Sequence, residues 1–317
     1  MASIYLGRDA AIYFDEESTW GTAIATSGTS NARPLISGSL TRTITKTPRP
    51  SLIGGTASAM RRSHVIEVDE CGGGFSVECT YENVGLLIYT LMGSVADTGS
   101  GSGPWRYRLA STLPSLTMEF VRGTGTSETL EGAKFASGTF AVAAGGVMTF
   151  DADVIAQTSA ARGTKTAGVS FGTGDTPVLH SHAGQLNFNS VNYDLVDMSL
   201  VVNNGIARRQ LLGSAVTAEP LRSDFQGVEL SVTVEVEDAL YAALLADTTG
   251  DVTLSFTDGS KTMAFTVHNC YLTEASDPIS GPGVVSMSLV FVAESDGTDE
   301  GLQILMTNAI AGDGKDN

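Results

Sequence analysis

Two stretches of the chain share one pattern of apolar and polar positions. In the first, Phe75, Val77, Cys79 and Tyr81 alternate with Ser76, Glu78, Thr80 and Glu82. In the second, Leu230, Val232, Val234 and Val236 alternate with Ser231, Thr233, Glu235 and Glu237. Period two sends successive side chains to opposite faces, so each stretch predicts a strand with one buried and one polar face. The alternation stops at Asn83 and at Asp238, and an apolar, helix-forming run follows each. Asn and Asp cap helices well because their side-chain oxygen accepts from a free N–H of the first turn. Each stretch therefore predicts a long strand turning directly into a short helix.

The surroundings repeat as well, and in the same order. Ser39-Leu40-Thr41 parallels Ser199-Leu200-Val201, and Ser115 to Phe120 parallels Asp251 to Phe256. Phe135 to Phe140 parallels Val267 to Leu272, and Gly145 to Thr149 parallels Pro282 to Ser286. The separations are 160 for Leu40 and Leu200, 155 for Phe75 and Leu230, 136 for Leu116 and Val252, and 137 for Val147 and Val284. An extra loop in the first copy, around Ala96 to Pro114, accounts for the drop. The pattern predicts a tandem duplication of a β-rich unit of ordinary domain size. The expected division is a first domain over 1–157, a linker over 158–178 and a second domain over 179–317.

Between these landmarks, Tyr5 to Phe14 predicts a first strand and Gln303 to Met306 a last one. Thr45 to Gly73, with Pro48, Pro50, Gly54 and Gly55, predicts a long loop interrupting the first sheet, and Arg208 to Arg222 is its counterpart. Loops of this length in compact domains are usually functional or disordered. Ala96 to Gly103 has the Gly/Ser composition of a flexible tip, and Gly312 to Asn317 that of a disordered tail.

Composition fits this picture. Of 317 residues only 17% are charged, and Gly, Ser, Thr and Ala are abundant, as in antiparallel β proteins with many turns. The net charge of −17 and pI near 4.5 exclude a nucleic-acid-binding class built on an overall basic surface. Three cysteines with no C-x-x-C spacing predict buried free thiols, not a disulfide framework or a zinc site. Met1 to Arg8 lacks a basic n-region and an apolar h-region, so no secretory leader is expected. Phe135 to Phe150 is broken by Gly138, Gly145 and Gly146 and is too short to span a bilayer.

Candidate chemistry is sparse. His180-Ser181-His182 would put two imidazoles on one strand face, but no third ligand lies nearby in sequence. Asp151 and Asp153 share a strand face without the surrounding loop of an EF-hand, so a solvated polar face is expected. The four histidines have no evident nucleophile partner. Gly72-Gly73-Gly74 precedes a strand, not a helix, and so is no phosphate loop. No enzyme activity, cofactor or metal site is predicted.

Several pieces, in their order, resemble the tail tube proteins of long-tailed bacteriophages. They are Gly7-Arg8-Asp9-Ala10-Ala11-Ile12 followed by Glu17-Ser18-Thr19-Trp20-Gly21-Thr22; Gly74-Phe75-Ser76-Val77-Glu78 leading into a helix; Gly132-Ala133-Lys134-Phe135 before a Gly-Gly hairpin; and Ser280 to Met287 with Phe291-Val292-Ala293. The resemblance implies two tandem tail-tube-type β-sandwich or rolled-barrel domains, each with one short helix. It implies a structural virion protein, assembled in the bacterial cytoplasm, whose rings stack into a hollow tube that conducts double-stranded DNA. For a duplicated unit it implies three chains per pseudo-hexameric ring, with a homohexamer as the alternative. The implied partners are further copies of the chain, the tape measure, tail terminator and baseplate proteins, and DNA passing without specific binding. A capsid decoration or adhesion module, and a tube subunit of a contractile injection system, are the competing classes.

Within this reading the expected lumen-lining residues are Ser76, Glu78, Thr80, Glu82, Asp151, Asp153, Ser231, Thr233, Glu235 and Glu237. They offer hydroxyls and carboxylates but no cation. The expected inter-subunit loops carry Arg61, Arg62, Arg208 and Arg209, since clustered arginine in an acidic chain suits a partner's carboxylates.

Overall fold

The computed structural model describes residues 7, 10–25, 32–48, 64–99, 103–123, 125–164, 175–235, 238–276, 285–295, 301–308 and 314–315. Antiparallel strands dominate, and two short helices accompany them. The chain begins with β1 (Ala10–Glu16), β2 (Ala32–Gly38), β3 (Thr41–Pro48) and β4 (His64–Glu78), then α1 (Gly85–Met92). It continues with β5 (Gly93–Asp97), β6 (Trp105–Leu109), β7 (Leu116–Arg122), β8 (Thr126–Ala143), β9 (Thr149–Ala156), β10 (Thr158–Ser159) and β11 (Gly163–Thr164). After a 3₁₀ turn at His180–His182 come β12 (Leu186–Phe188), β13 (Val191–Tyr193), β14 (Leu195–Asn203) and β15 (Gly227–Glu235). The chain ends with α2 (Asp238–Leu245), β16 (Thr249–Asp258), β17 (Lys261–Ser276), β18 (Ser286–Val292) and β19 (Leu302–Thr307).

The strand pairings repeat. In the first half β1 pairs with β2 and β7, β7 with β8, β8 with β9, and β9 with β4, which also takes β2. In the second half β12 pairs with β13 and β16, β16 with β17, β17 with β18, and β18 with β15, which also takes β14. One further pairing, β8 with β14, fuses the halves into a continuous eight-strand sheet ordered β2-β4-β9-β8-β14-β15-β18-β17. The long strands β8 and β17 each belong to two layers. Their first parts pair with β7 and β16 in an outer layer, and their last parts join the shared sheet.

Alternation explains the core. Leu35, Val77, Phe150, Phe140, Leu200, Leu230, Phe291 and Leu272 lie opposite one another in turn across all eight strands. All but the partly buried Leu35 are buried. The rings of Phe140 and Phe150 in this row cluster with those of Phe75, Phe135 and Phe265 at centroid separations of 4.9 to 6.3 Å, within the range for favourable tilted and edge contacts. Helix α1 lies over β8. The Leu91 side chain packs into the space above Gly138, where an added Cβ would come within 2.8 Å of it and push it aside. The buried Asn204 then donates its side-chain N–H groups to the carbonyls of Leu91 and Phe135, each at 3.0 Å, serving the free end of α1.

Several expectations change. Asn83 does not cap α1; the N-cap is Val84, without a side-chain bond. The Asn83 side chain is buried and donates to Asp175, while its carbonyl accepts from Arg33 at 2.7 Å, so tertiary partners outbid the local cap. The side chain of Asp238 lies outside the described residues. The two ends of the interruption expected at Thr45 to Gly73 are strand: 45–48 belong to β3 and 64–73 to β4, paired antiparallel, while 49–63 lie outside the described residues. Gly72-Gly73 belongs to β4. With φ of +146° and +129°, it passes where added Cβ atoms would meet the carbonyl oxygens of Val154 at 2.2 Å and Ser39 at 2.7 Å. The extra segment near Ala96 is the hairpin β5–β6, whose β6 pairs with β19 of the second half. The stretch at Thr158 is not a free linker at its start, because β10 and β11 fold back on β8.

The Glu17 and Gly132 segments meet in space. Glu17 is buried, and its carboxylate accepts from Gly21 N–H (2.9 Å), Gly132 N–H (2.8 Å), Ser115 Oγ (2.8 Å) and Thr117 Oγ1 (3.0 Å). Trp20 Nε1 donates to the Gly132 carbonyl at 3.1 Å. Four donors satisfy one desolvated carboxylate, which locks the segment after β1 onto β7 and β8. Glu17→Ala would strand these donors and should lower stability by about 3 kcal/mol. Urea unfolding checks this; a change below about 0.5 kcal/mol would show that the network is not a structural tie.

Candidate functional site

The second face of the shared sheet is mainly polar, interrupted by Val201, Val290 and Val292. One row across it reads Ser37, Ser76, Asp151, Thr139, Val201, Glu229, Val292 and Tyr271. The adjacent row reads Glu78, Thr149, Ala141, Ser199, Ser231, Val290 and Glu274. Each is out of phase by one residue with the apolar row beneath, as pleating requires, except at Ser37 and Glu274, where a β-bulge in β2 and in β17 adds a residue. Two shallow hollows mark the face. One lies over Ser37, Gly74, Ser137, Thr139, Asp151 and Asp153, the other over Ala141, Asp197, Ser199, Ser231, Thr233 and Ser288. No Lys or Arg lines either hollow. Cations are instead spent in ion pairs such as Arg42–Asp69, Arg122–Glu128, Lys134–Glu219 and Lys261–Glu82.

Seven of the ten expected face residues come together here. Ser76, Glu78, Asp151 and Asp153 lie on β4 and β9, and Ser231, Thr233 and Glu235 on β15. Thr233 stands opposite Ser288 and Asp197, and Glu235 opposite Ser286. Thr80 and Glu82 lie beyond the end of β4. Glu82 pairs with Lys261 of β17 and accepts from Thr176 N–H at 2.8 Å, so it ties the halves together. Glu237 lies outside the described residues. Thr139, Ala141, Asp197 and Ser199 share the face but were not among the expected residues. Their signal was available: Ser137, Thr139 and Ala141 alternate with Gly138, Phe140 and Val142, as Asp197, Ser199 and Val201 alternate with Met198, Leu200 and Val202.

The arginine loops divide. Arg61 and Arg62 lie outside the described residues. Arg208 is turned inward on its own chain, where its Nη1 donates to the Cys71 carbonyl at 2.7 Å. Arg209 is exposed. Neighbouring residues of the same segment also grip the first half: Asp69 N–H donates to the Ala215 carbonyl at 2.8 Å, and Arg222 Nη2 to the Ala110 carbonyl at 2.9 Å. Segment 204–226 is thus a clasp across the seam between the halves.

His180 and His182 sit in the 3₁₀ turn, not on a strand, and His182 Nδ1 lies 3.2 Å from the Tyr81 hydroxyl. Burial pushes the Cys71 thiol up to about 11, the Cys270 thiol to about 12, and Cys79 upward as well, so all three stay protonated and unreactive near neutral pH. Among the described residues, no three His, Cys, Asp or Glu side chains are placed to hold a metal ion. No described helix is long and apolar enough to cross a membrane.

A family model described as phage tail tube protein matches residues 7–293. The chain belongs to the phage tail tube protein family. A comparison with curated proteins gave no match. Membership makes this tail tube protein a structural component of the virion tail, one that assembles with copies of itself and with other tail proteins. The polar face, and not a pocket, is therefore its candidate functional surface.

The inward position of Arg208 separates it from its neighbour. Arg208→Ala should destabilise the isolated chain by about 1–2 kcal/mol, the worth of a charged hydrogen bond to a carbonyl. Arg209→Ala should change stability by less than about 0.5 kcal/mol. Denaturant midpoints of the two variants give the comparison, and equal midpoints would contradict it.

Proposed function

We propose that this tail tube protein closes into rings of three chains, that the rings stack into a hollow tube, and that the polar face of the shared sheet lines a lumen through which double-stranded DNA passes. One observation carries the reading: each chain presents eight hydrogen-bonded strands as two equivalent sets of four, β2-β4-β9-β8 and β14-β15-β18-β17. Three chains would supply about 24 strands. At ~4.8 Å spacing and a tilt of ~40°, these close at a backbone diameter of roughly 50 Å, wide enough for a duplex after side chains are added.

The chemistry of the face suits a conduit. Every Lys or Arg contact with a phosphate adds salt-dependent affinity and would slow the cargo. Hydroxyls and carboxylates keep the wall hydrated and weakly repulsive. A ring would carry 3 × (−17) = −51. The same reading has the protein assembling in the bacterial cytoplasm, around the tape measure and between the tail terminator and baseplate. It also assigns the Arg61-Arg62 segment to contacts between copies. Deleting 57–62 should leave a folded chain that no longer forms tubes; tubes of normal length would refute that assignment.

The lumen assignment has its own test. Glu78→Lys with Glu235→Lys should permit tube assembly but impair genome delivery, and rising salt should relieve the defect as it screens the added phosphate contacts. Infectivity and DNA-release assays across a salt series measure this. A tube structure with Glu78 and Glu235 on its outer surface would overturn the lumen assignment, and a ring of six identical chains would overturn the three-chain count.

A further inference from the structure

The seam inside the chain also describes the seam between chains. Strand β8 uses one edge for two partners in succession: β7 along its first part, then β14 along 137–143. Its counterpart β17 uses the matching edge for β16 along its first part. Beyond Tyr271 that edge meets no further described strand, although β18 still occupies the other edge through Ser276. At the opposite end of the sheet, β2 pairs with β4 through Leu35, Ser37 and Gly38, while its partnership with β1 stops at Pro34. Among the described strands, the outer edge of 35–38 has no partner. The two open edges of the sheet are thus the counterparts of β8 and β14, the two strands that meet at the internal seam. Open edges of this kind invite pairing with another chain.

We infer that the end of β17 pairs antiparallel with β2 of a second copy of this chain, in the register of the β8–β14 seam. The inference rests on the ring reading above and supplies its contact. The register follows from the repeat. At the internal seam Ala141 stands opposite Ser199. Ser199 pairs with Ser231 as Ser37 pairs with Ser76, and Ser231 and Ser76 are equivalent positions, 155 residues apart. Ala141 pairs with Thr149, which pairs with Glu78. In the second half, Ser276 pairs with Ser288, which pairs with Thr233, 155 residues beyond Glu78. Ser37 of one chain therefore faces Ser276 of the next.

The hairpin that follows β2 supports the same partner. In the second half, the corresponding segment 204–226 clasps the first half across the internal seam. In the first half that position is held by the β3–β4 hairpin, which carries the exposed apolar side chains Ile44, Val65 and Ile66 (42%, 48% and 54% exposed). Ile36 on β2 is 57% exposed. A second copy docked on β2 would bring its own second half beneath this hairpin, where the internal clasp has its equivalent footing. Heterologous contacts of this kind close into rings when the rotation permits.

Paired cysteines test the register. A chain carrying Ser37→Cys and Ser276→Cys should, on assembly and mild oxidation, give two- and three-chain species on a non-reducing gel and nothing larger. The positive control is Ala141→Cys with Ser199→Cys, which should lock the internal seam within one chain and so shows that this register permits a disulfide. Mixing Ser37→Cys chains with Ser276→Cys chains should give cross-linked pairs only, and keeps the test open if the double variant assembles poorly. The native cysteines are buried and do not compete. Assembled tubes in which the control closes but neither the double variant nor the mixture cross-links would overturn the proposed seam. A ladder extending past three chains would keep the seam but overturn the three-chain ring. If electron microscopy of the unaltered chain shows neither rings nor tubes, the ring reading falls and this inference falls with it.

Discussion

Everything in this structure depends on burying one apolar row that crosses two halves of the chain. Leu35 to Leu272, one residue from each of eight strands, must face inward together. A slip of one residue at any pairing would turn a whole strand's apolar set outward. Register is therefore set jointly by all eight strands, and the polar rows on the other face inherit it. The polar face of the shared sheet is in that sense a by-product of the core: its Ser, Thr and carboxylate positions lie where they do because their neighbours had to be buried.

Strand alternation was legible where one face is buried and the other open. β4 and β15 announced themselves in this way, and the order of the repeat foreshadowed the shared pairing scheme. The same signal misled at Thr80 and Glu82. Tyr81 is buried in a turn and so prolongs the alternation after the strand has ended. Asn83 has the chemistry of a cap, but a neighbouring aspartate and an arginine claim it, and neither is near in sequence. The β5–β6 hairpin was hidden by its Gly/Ser-rich tip, although Trp105, Tyr107 and Leu109 alternate with Arg106 and Arg108. Its partner β19 lies about two hundred residues away, a distance at which composition says nothing about pairing. The seam between β8 and β14 was out of reach for the same reason, since local pattern predicts a strand but not which edge it will use.

The two halves are equivalent in pairing and unequal in reinforcement. The internal seam has a covalent connection, the 204–226 clasp and the Glu82–Lys261 pair. The buried Glu17 network belongs to the first half, where it fixes the entry of the chain onto β7 and β8. Duplication has thus let one copy specialise in holding its neighbour while the other stabilises its own outer layer.

The two long strands carry a mechanical consequence. β8 and β17 each run unbroken from the outer layer into the shared sheet, so the layers are joined by backbone as well as by packing. One layer cannot shear over the other without straining covalent geometry or breaking many ladder hydrogen bonds at once. A filament made of such units would be stiff within each disc and compliant only between discs, and its curvature would collect at the joints, as in a stack of rigid washers.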